Sequence, residues 1–149
     1  MGQNAAFRGA KAALFLGEQL VVILRDETAG LPFPGHWDLP GGGREGDESP
    51  FGCLARECRE ELGLTLREGD LQWQRAFRSG GDLNWFFVAR LPEDAVRRIV
   101  FGDEGQGWCL MSVRQFLSHP RAVPQFQARL RLALRDMEGD GRQESPPLP

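Results

Sequence analysis

The chain has 149 residues, which is the size of one ordinary domain. Hydrophobic residues make up 41% and charged residues 26%, enough to build a packed core and too apolar for global disorder. The net charge of -3 argues against a protein held to nucleic acid by a basic surface, so no stable nucleic-acid partner is expected. His36 and His119 are far apart, and Cys53, Cys58 and Cys109 show no CxxC spacing, which makes a structural zinc site improbable. Sparse, odd cysteines suit a reducing compartment. No apolar run approaches the ~20 residues of a membrane span, and the segment Met1 to Lys11 has no signal-peptide pattern. A soluble, cytoplasmic domain without membrane attachment is the expectation. Lys11 is the only lysine, and tyrosine is absent.

In chain order, Ala12 to Leu16 and Gln19 to Leu24 are apolar runs split by Gly17-Glu18, the pattern of a β-hairpin. Asp26 to Gly35, with Gly30, Pro32 and Pro34, reads as loop. Trp37 to Leu39 is a short strand leading into Pro40-Gly41-Gly42-Gly43. Ser49 to Leu62 reads as a helix, with Ser49 as N-cap, Pro50 in the first turn and Gly63 just past the end. Leu71 to Phe77 and Leu83 to Ala89 are strands joined across Ser79-Gly80-Gly81-Asp82. The second is apolar on both faces, which predicts a central position. Trp108 to Met111 predicts a strand, Ser112 to Ser118 a short helix, and Gln125 to Met137 a helix with Phe126, Leu130, Leu134 and Met137 on one face. Residues 1–138 are expected to form one domain and 139–149, charged and Pro-rich, a flexible tail. Strands on both sides of a central helix, with another helix at the end, predict a mixed α/β or α+β fold.

On a helical wheel of Ser49 to Leu62, Phe51, Ala55, Cys58 and Leu62 share a core face. Glu57, Glu60 and Glu61 gather on another sector with spacing i, i+3, i+4. Like charges at that spacing destabilise a helix. A solvated acidic face is the plain alternative, but a hard divalent cation, Mg²⁺ or Mn²⁺, wants converging oxygens of this kind. Arg56 sits one turn before Glu60, placed to pair with a carboxylate and fix its rotamer. The Gly41-Gly42-Gly43 run ahead of the helix leaves backbone groups uncovered, so that a carbonyl can complete a metal shell and N–H groups can approach a phosphate.

Gly42, five residues, Glu48, seven residues, then Arg56-Glu57-Cys58-Arg59-Glu60-Glu61-Leu62-Gly63-Leu64 resembles the Nudix box, G-x5-E-x7-R-E-U-x-E-E-x-G-U. Every polar and glycine position matches; Cys58 stands where an aliphatic residue is usual, and cysteine packs as a small hydrophobe. The approach Gly35-His36-Trp37-Asp38-Leu39-Pro40 is similar too. The resemblance implies an α/β/α sandwich around a mixed sheet and metal-dependent hydrolysis of a nucleoside diphosphate linked to another group X. It implies that Glu60 and Glu61 bind the metal with the Gly41 carbonyl, that Glu57 is a ligand or the general base, that Arg56 orients it, and that Glu48 supports the loop or the metal shell. Several Nudix enzymes place a further glutamate in the loop corresponding to 102–107, which makes Glu104 a second candidate base, with Asp103 beside it. Gly42, Gly43, Phe33 and His36 are candidate substrate contacts. Cys53, one turn before Glu57, is a candidate for lining the cleft. Trp37, Trp73, Trp85 and Trp108 are read as core rather than as stacking platforms.

Absences narrow X. Dinucleoside polyphosphate hydrolases of this family usually carry a tyrosine past the box, and ADP-ribose pyrophosphatases a proline some fifteen residues beyond it. This chain has neither. The remainder resembles the small MutT-like group acting on (deoxy)nucleoside triphosphates or modified nucleotides. An ADP-ribose or nucleotide-sugar pyrophosphatase, a non-catalytic nucleotide sensor and a homodimeric assembly are the alternatives kept open.

Overall fold

The structure, a computed structural model, describes residues 6–144 and the side chains of residues 6–139. Seven strands form one sheet with helices on both faces, the mixed α+β arrangement expected from the sequence. β1 (Gly9–Leu16) turns at Gly17-Glu18 into β2 (Gln19–Leu24), an antiparallel hairpin with Phe15 opposite Leu20. β3 (Trp37–Asp38) extends the sheet beyond β2. β4 (Gly41–Gly43) folds back on the start of β1, pairing Gly9 with Gly43 and Lys11 with Gly41. The glycine run is thus a strand, where the sequence reads as a loop. It carries no side-chain alternation for a period-2 pattern to detect.

β5 (Leu71–Ser79) and β6 (Asp82–Leu91) form a second hairpin, and β6 runs parallel to β1 along its whole length. β6 therefore lies between β1 and β5, and Phe86 to Ala89 are buried. β7 (Gly107–Met111) pairs antiparallel with β2. Along β1, Ala10, Ala12, Leu14 and Leu16 face one core layer, while Ala13 and Phe15 face the other. α1 (Pro50–Leu62) covers the first layer. α2 (Val113–Ser118) and α3 (Pro124–Glu144) cover the second, through Phe116, Phe126 and Leu130. Two short 3-10 turns, Glu68–Asp70 and Glu93–Arg98, carry no hydrophobic period and are not visible in the sequence pattern.

α1 is specified locally. The Ser49 hydroxyl accepts the Gly52 N–H at 3.0 Å, Pro50 opens the helix, and Gly63 closes it in the left-handed conformation at φ 68°. Its buried stripe differs from the expected one: Cys53, Leu54, Cys58 and Leu62 are fully buried, while Phe51 is half-buried. Leu54, Cys58 and Leu62 at i, i+4, i+8 form the true seam in the core layer between α1 and the sheet. α3 runs on to Glu144, so the expected start of a tail at Gly139 falls inside a helix; residues 145–149 lie outside the described residues. No helix among the described residues is long and apolar enough to cross a membrane.

Candidate active site

The site is assembled where β4 meets α1. Arg56 is its hub. The Arg56 Nε–H donates to Glu48 at 2.6 Å, one terminal nitrogen donates to Glu57 at 3.2 Å and Glu60 at 3.0 Å, and the other donates to the Gly43 carbonyl at 2.7 Å. One planar fork thus ties the loop before the helix, the glycine strand and two helix carboxylates together. The Arg56 guanidinium holds the Glu48 carboxyl below the ordinary carboxylate range. Glu48 also accepts the Glu45 N–H at 2.9 Å, which closes the loop on itself.

Glu57 and Glu61 face a cleft of about 360 Å³ together with Gly41, Gly42 and Gly43. Desolvation raises both carboxyls, Glu61 to about 7; the charge of Glu57 adds to the shift of Glu61, and that of Glu60 to the shift of Glu57. Glu61 accepts the Gly41 N–H at 2.8 Å. The glycines are required for this approach. A Cβ on Gly41, at φ 127°, would stand 2.1 Å from the Ala10 carbonyl oxygen, and one on Gly42 would stand 2.6 Å from the Glu57 carboxylate.

Opposite the carboxylates lies a charge cluster that sequence reading missed. The Lys11 ammonium donates to Asp38 at 3.1 Å, to the Leu39 carbonyl at 3.1 Å and to the Gly41 carbonyl at 2.9 Å. Asp38, only 4% exposed, also accepts Arg25 at 2.7 Å and the Leu39 N–H at 2.7 Å. All three ammonium protons are therefore spent on the turn between β3 and β4. That turn carries the Gly41 N–H that orients Glu61. The signal available in the sequence was slight: a solitary lysine within an otherwise apolar strand.

The loop 102–107 is pinned over the cleft. The Gly102 N–H donates to the Glu61 carbonyl at the end of α1, the Gly105 N–H donates to Asp26, and the Gln106 N–H donates to the Leu24 carbonyl. This brings Glu104 to the cleft wall, alongside Asp26 and Leu31. Asp103 is exposed and is not part of that wall.

Of the residues singled out in the sequence, the cleft gathers Gly41, Gly42, Gly43, Glu57, Glu61 and Glu104, with Arg56 behind Glu57. Glu60 is exposed and turned to Arg56 rather than into the cleft. Phe33 and His36 lie outside the lining: Phe33 is an exposed residue at φ 50° whose ring meets His36 at 5.5 Å, and His36 Nδ1 sits 3.0 Å from the Pro34 carbonyl oxygen. Their side chains are engaged within the proline loop. Cys53 does not line the cleft; it is fully buried, 3.5 Å from the Gly42 carbonyl oxygen, and burial pushes its thiol up to about 11. The four tryptophans are half-buried against the two core layers.

Among the described residues no three acidic, cysteine or histidine side chains converge into a complete metal cage. The donor set is nonetheless that of a hard cation. Two half-buried carboxylates with raised pKa share a wall with a backbone carbonyl, and every donor is oxygen. Mg²⁺ is typically held by one or two carboxylates, with water and substrate phosphates completing the shell.

A family model described as NUDIX domain matches residues 7–133. The chain belongs to the NUDIX family. An RNA pyrophosphohydrolase of Acidiphilium cryptum is 39% identical over 57 residues, 38% of this chain and 35% of that protein. The chain thus spans about a third of the length of this curated relative. Among solved structures, a bifunctional NMN adenylyltransferase/ADP ribose pyrophosphatase from Francisella tularensis superposes with a TM-score of 0.68 at 19% identity, over 90% of this chain and 42% of that one. A MutT protein from Methanosarcina mazei gives a TM-score of 0.62 at 22% identity, over 93% of this chain and 94% of that one. These likenesses establish the Nudix fold for the chain described above.

Proposed function

We propose that the chain is a divalent-cation-dependent pyrophosphohydrolase that cleaves a nucleoside diphosphate linked to X, with X completing a (deoxy)nucleoside triphosphate or a modified nucleotide. One observation carries the reading: Glu57 and Glu61 stand side by side, desolvated, on a glycine-lined cleft wide enough for a diphosphate. Mg²⁺ or Mn²⁺ bound there would be held by Glu57, Glu61 and the Gly41 carbonyl, and would neutralise diphosphate charge and acidify a water.

The chain's own groups do the rest. Burial raises the Glu57 carboxyl above the ordinary carboxylate range, which makes it a stronger base, and Glu104, on the cleft wall, is the second candidate base. Arg56 fixes the rotamer of Glu57, and Glu48 fixes Arg56. The open backbone of Gly42 and Gly43 lets a phosphate approach without meeting a Cβ. Glu60, exposed and paired with Arg56, supports this network from the solvent side.

The likeness to an RNA pyrophosphohydrolase favours a second reading, in which X is the 5′ end of an RNA. A panel of nucleoside triphosphates, oxidised forms, ADP-ribose, dinucleoside polyphosphates, nucleotide sugars and 5′-triphosphorylated RNA separates the readings, each assayed with Mg²⁺ and with Mn²⁺. Cleavage of mononucleotides lost in both Glu57→Gln and Glu61→Gln supports the first reading. Cleavage confined to RNA ends supports the second. Folded protein that binds nucleotide but turns over none of these would replace both with the sensor alternative.

A further inference from the structure

A second cavity, of about 230 Å³, adjoins the cleft at β4 and shares Lys11, Gly42 and Gly43 with it. The two have opposite electrostatics. The cleft wall carries five carboxylates, Asp26, Asp38, Glu57, Glu61 and Glu104, against two cations, Lys11 and Arg25, both of which are paired with Asp38. The second cavity is walled by Arg8, Lys11, Asn84, Phe126 and Arg129 among others, and no carboxylate lines it.

Arg129 is the telling residue. Its guanidinium lies 5.0 Å from the Phe77 ring centroid and 5.8 Å from that of Phe126, and among the described residues it pairs with no carboxylate. Burial lowers its pKa, so the charge is partly stripped of water without a counter-ion among the described residues. Such a cation on a cavity wall is poised for an anion. The cavity is poorly suited to stacking a base: the Phe126 ring, 7% exposed, is stacked on Phe86 and has Lys11 and Arg129 over it. Trp85, the other aromatic of the wall, is stacked on Phe87; what the wall offers besides these rings is positive charge and the amides of Asn84 and Gln125.

We propose that this cavity is a phosphate subsite, with Arg129 as its anchoring cation, for a phosphate of the substrate beyond the pair cleaved in the adjoining cleft. The division of charge gives it a purpose. A polyanion approaching the carboxylate-lined cleft is repelled by those carboxylates, and a basic annex continuous with that cleft supplies the attraction. The assignment of the phosphate to a substrate rests on the pyrophosphohydrolase reading; the existence of the anion site does not. Two sources share the chemistry: the terminal phosphate of a nucleoside triphosphate, and the first phosphodiester of a 5′-polyphosphorylated oligonucleotide.

The test has two arms. In the first, inorganic tripolyphosphate is titrated calorimetrically into the full chain in EDTA. Wild type is expected to bind saturably. Arg129→Gln is expected to bind about tenfold or more weakly. Arg129→Lys, which keeps the charge, should recover most of the loss. Arg135→Gln, which removes an exposed charge from the same helix, should match wild type. No saturable binding by wild type, or equal weakening by Arg129→Gln and Arg135→Gln, overturns the subsite. In the second arm, KM and kcat are measured for a nucleoside triphosphate and for a 5′-triphosphorylated dinucleotide. A rise in KM with kcat held, for both substrates, assigns the terminal phosphate. A rise for the dinucleotide alone assigns the phosphodiester. A change in neither overturns the substrate role. If wild type cleaves nothing, the functional reading fails while the metal-free arm still decides the subsite.

Discussion

Glu61 offers the most direct test of the cleft. Burial pushes its carboxyl from an ordinary 4.5 up to about 7, against the opposing pull of Lys11 and the Gly41 N–H. The unfolded chain releases this proton near pH 4.5 and the folded chain near pH 7. Between those values the folded state binds more protons, so stability falls as pH rises; the contribution is complete below about 4.5 and lost on passing about 7. At about 1.36 kcal/mol per pH unit, the interval corresponds to roughly 3 kcal/mol as an upper bound, since Glu61 keeps some access to water. Glu61→Gln keeps an acceptor for the Gly41 N–H and removes the ionisation. In EDTA, the variant is expected to gain roughly 2–3 kcal/mol over wild type between about pH 5 and pH 8, read by urea denaturation at constant m. The shifts at Glu57 and Glu48 are present in both proteins and largely cancel in the comparison. Saturating Mg²⁺ at about pH 8 should stabilise wild type far more than the variant, because a ligand held by the folded state alone adds its binding free energy. Parallel stability curves across the whole pH range would refute the reasoning, since they would mean that Glu61 ionises at no cost and is not desolvated.

Three further outcomes are expected. Arg56→Lys keeps the charge but loses the fork that spans Glu48, Glu57, Glu60 and the Gly43 carbonyl, so kcat/KM should fall about tenfold or more; a change within threefold would show that the fork orients nothing. Gly42→Ala should cost about 1–3 kcal/mol in chemical denaturation, because its Cβ meets the Glu57 carboxylate at 2.6 Å, whereas Gly43→Ala, with no neighbour nearer than 3.9 Å, should cost under about 1 kcal/mol; equal costs would place Glu57 elsewhere. Lys11→Met strips one of two cations from Asp38 and frees two carbonyls, for a loss of about 2–4 kcal/mol in thermal or urea unfolding. It should also move the acid limb of kcat/KM to higher pH, since Lys11 lowers the pKa of both Glu57 and Glu61; an unmoved limb would show that its charge does not reach them.

Most of the fold was legible because local rules and the global arrangement agree. Ser49, Pro50 and Gly63 bound α1 within a residue of expectation, and the apolar faces of β6 place it inside the sheet. The glycine strand was not legible, because pairing between Gly41–Gly43 and Gly9–Lys11 is a backbone event with no side-chain period. The helical wheel grouped Glu57, Glu60 and Glu61 by angle, but angle does not say which carboxylates reach the cleft; Arg56 binds both Glu57 and Glu60, and of the three only Glu57 and Glu61 line the cleft.

The same limit hid Lys11. Its importance comes from partners 27 to 30 residues away, brought beside it only when β4 folds back on β1. Once there, it holds the Gly41 peptide by its carbonyl while Glu61 holds the N–H of the same residue. A half-buried carboxyl and a half-buried ammonium are thereby joined through one glycine, and a Cβ at that glycine would collide with the strand that carries the lysine. The glycine-rich motif and the solitary lysine are therefore one structural requirement: a backbone thin enough for Lys11 to grip and for Glu61 to be aimed by.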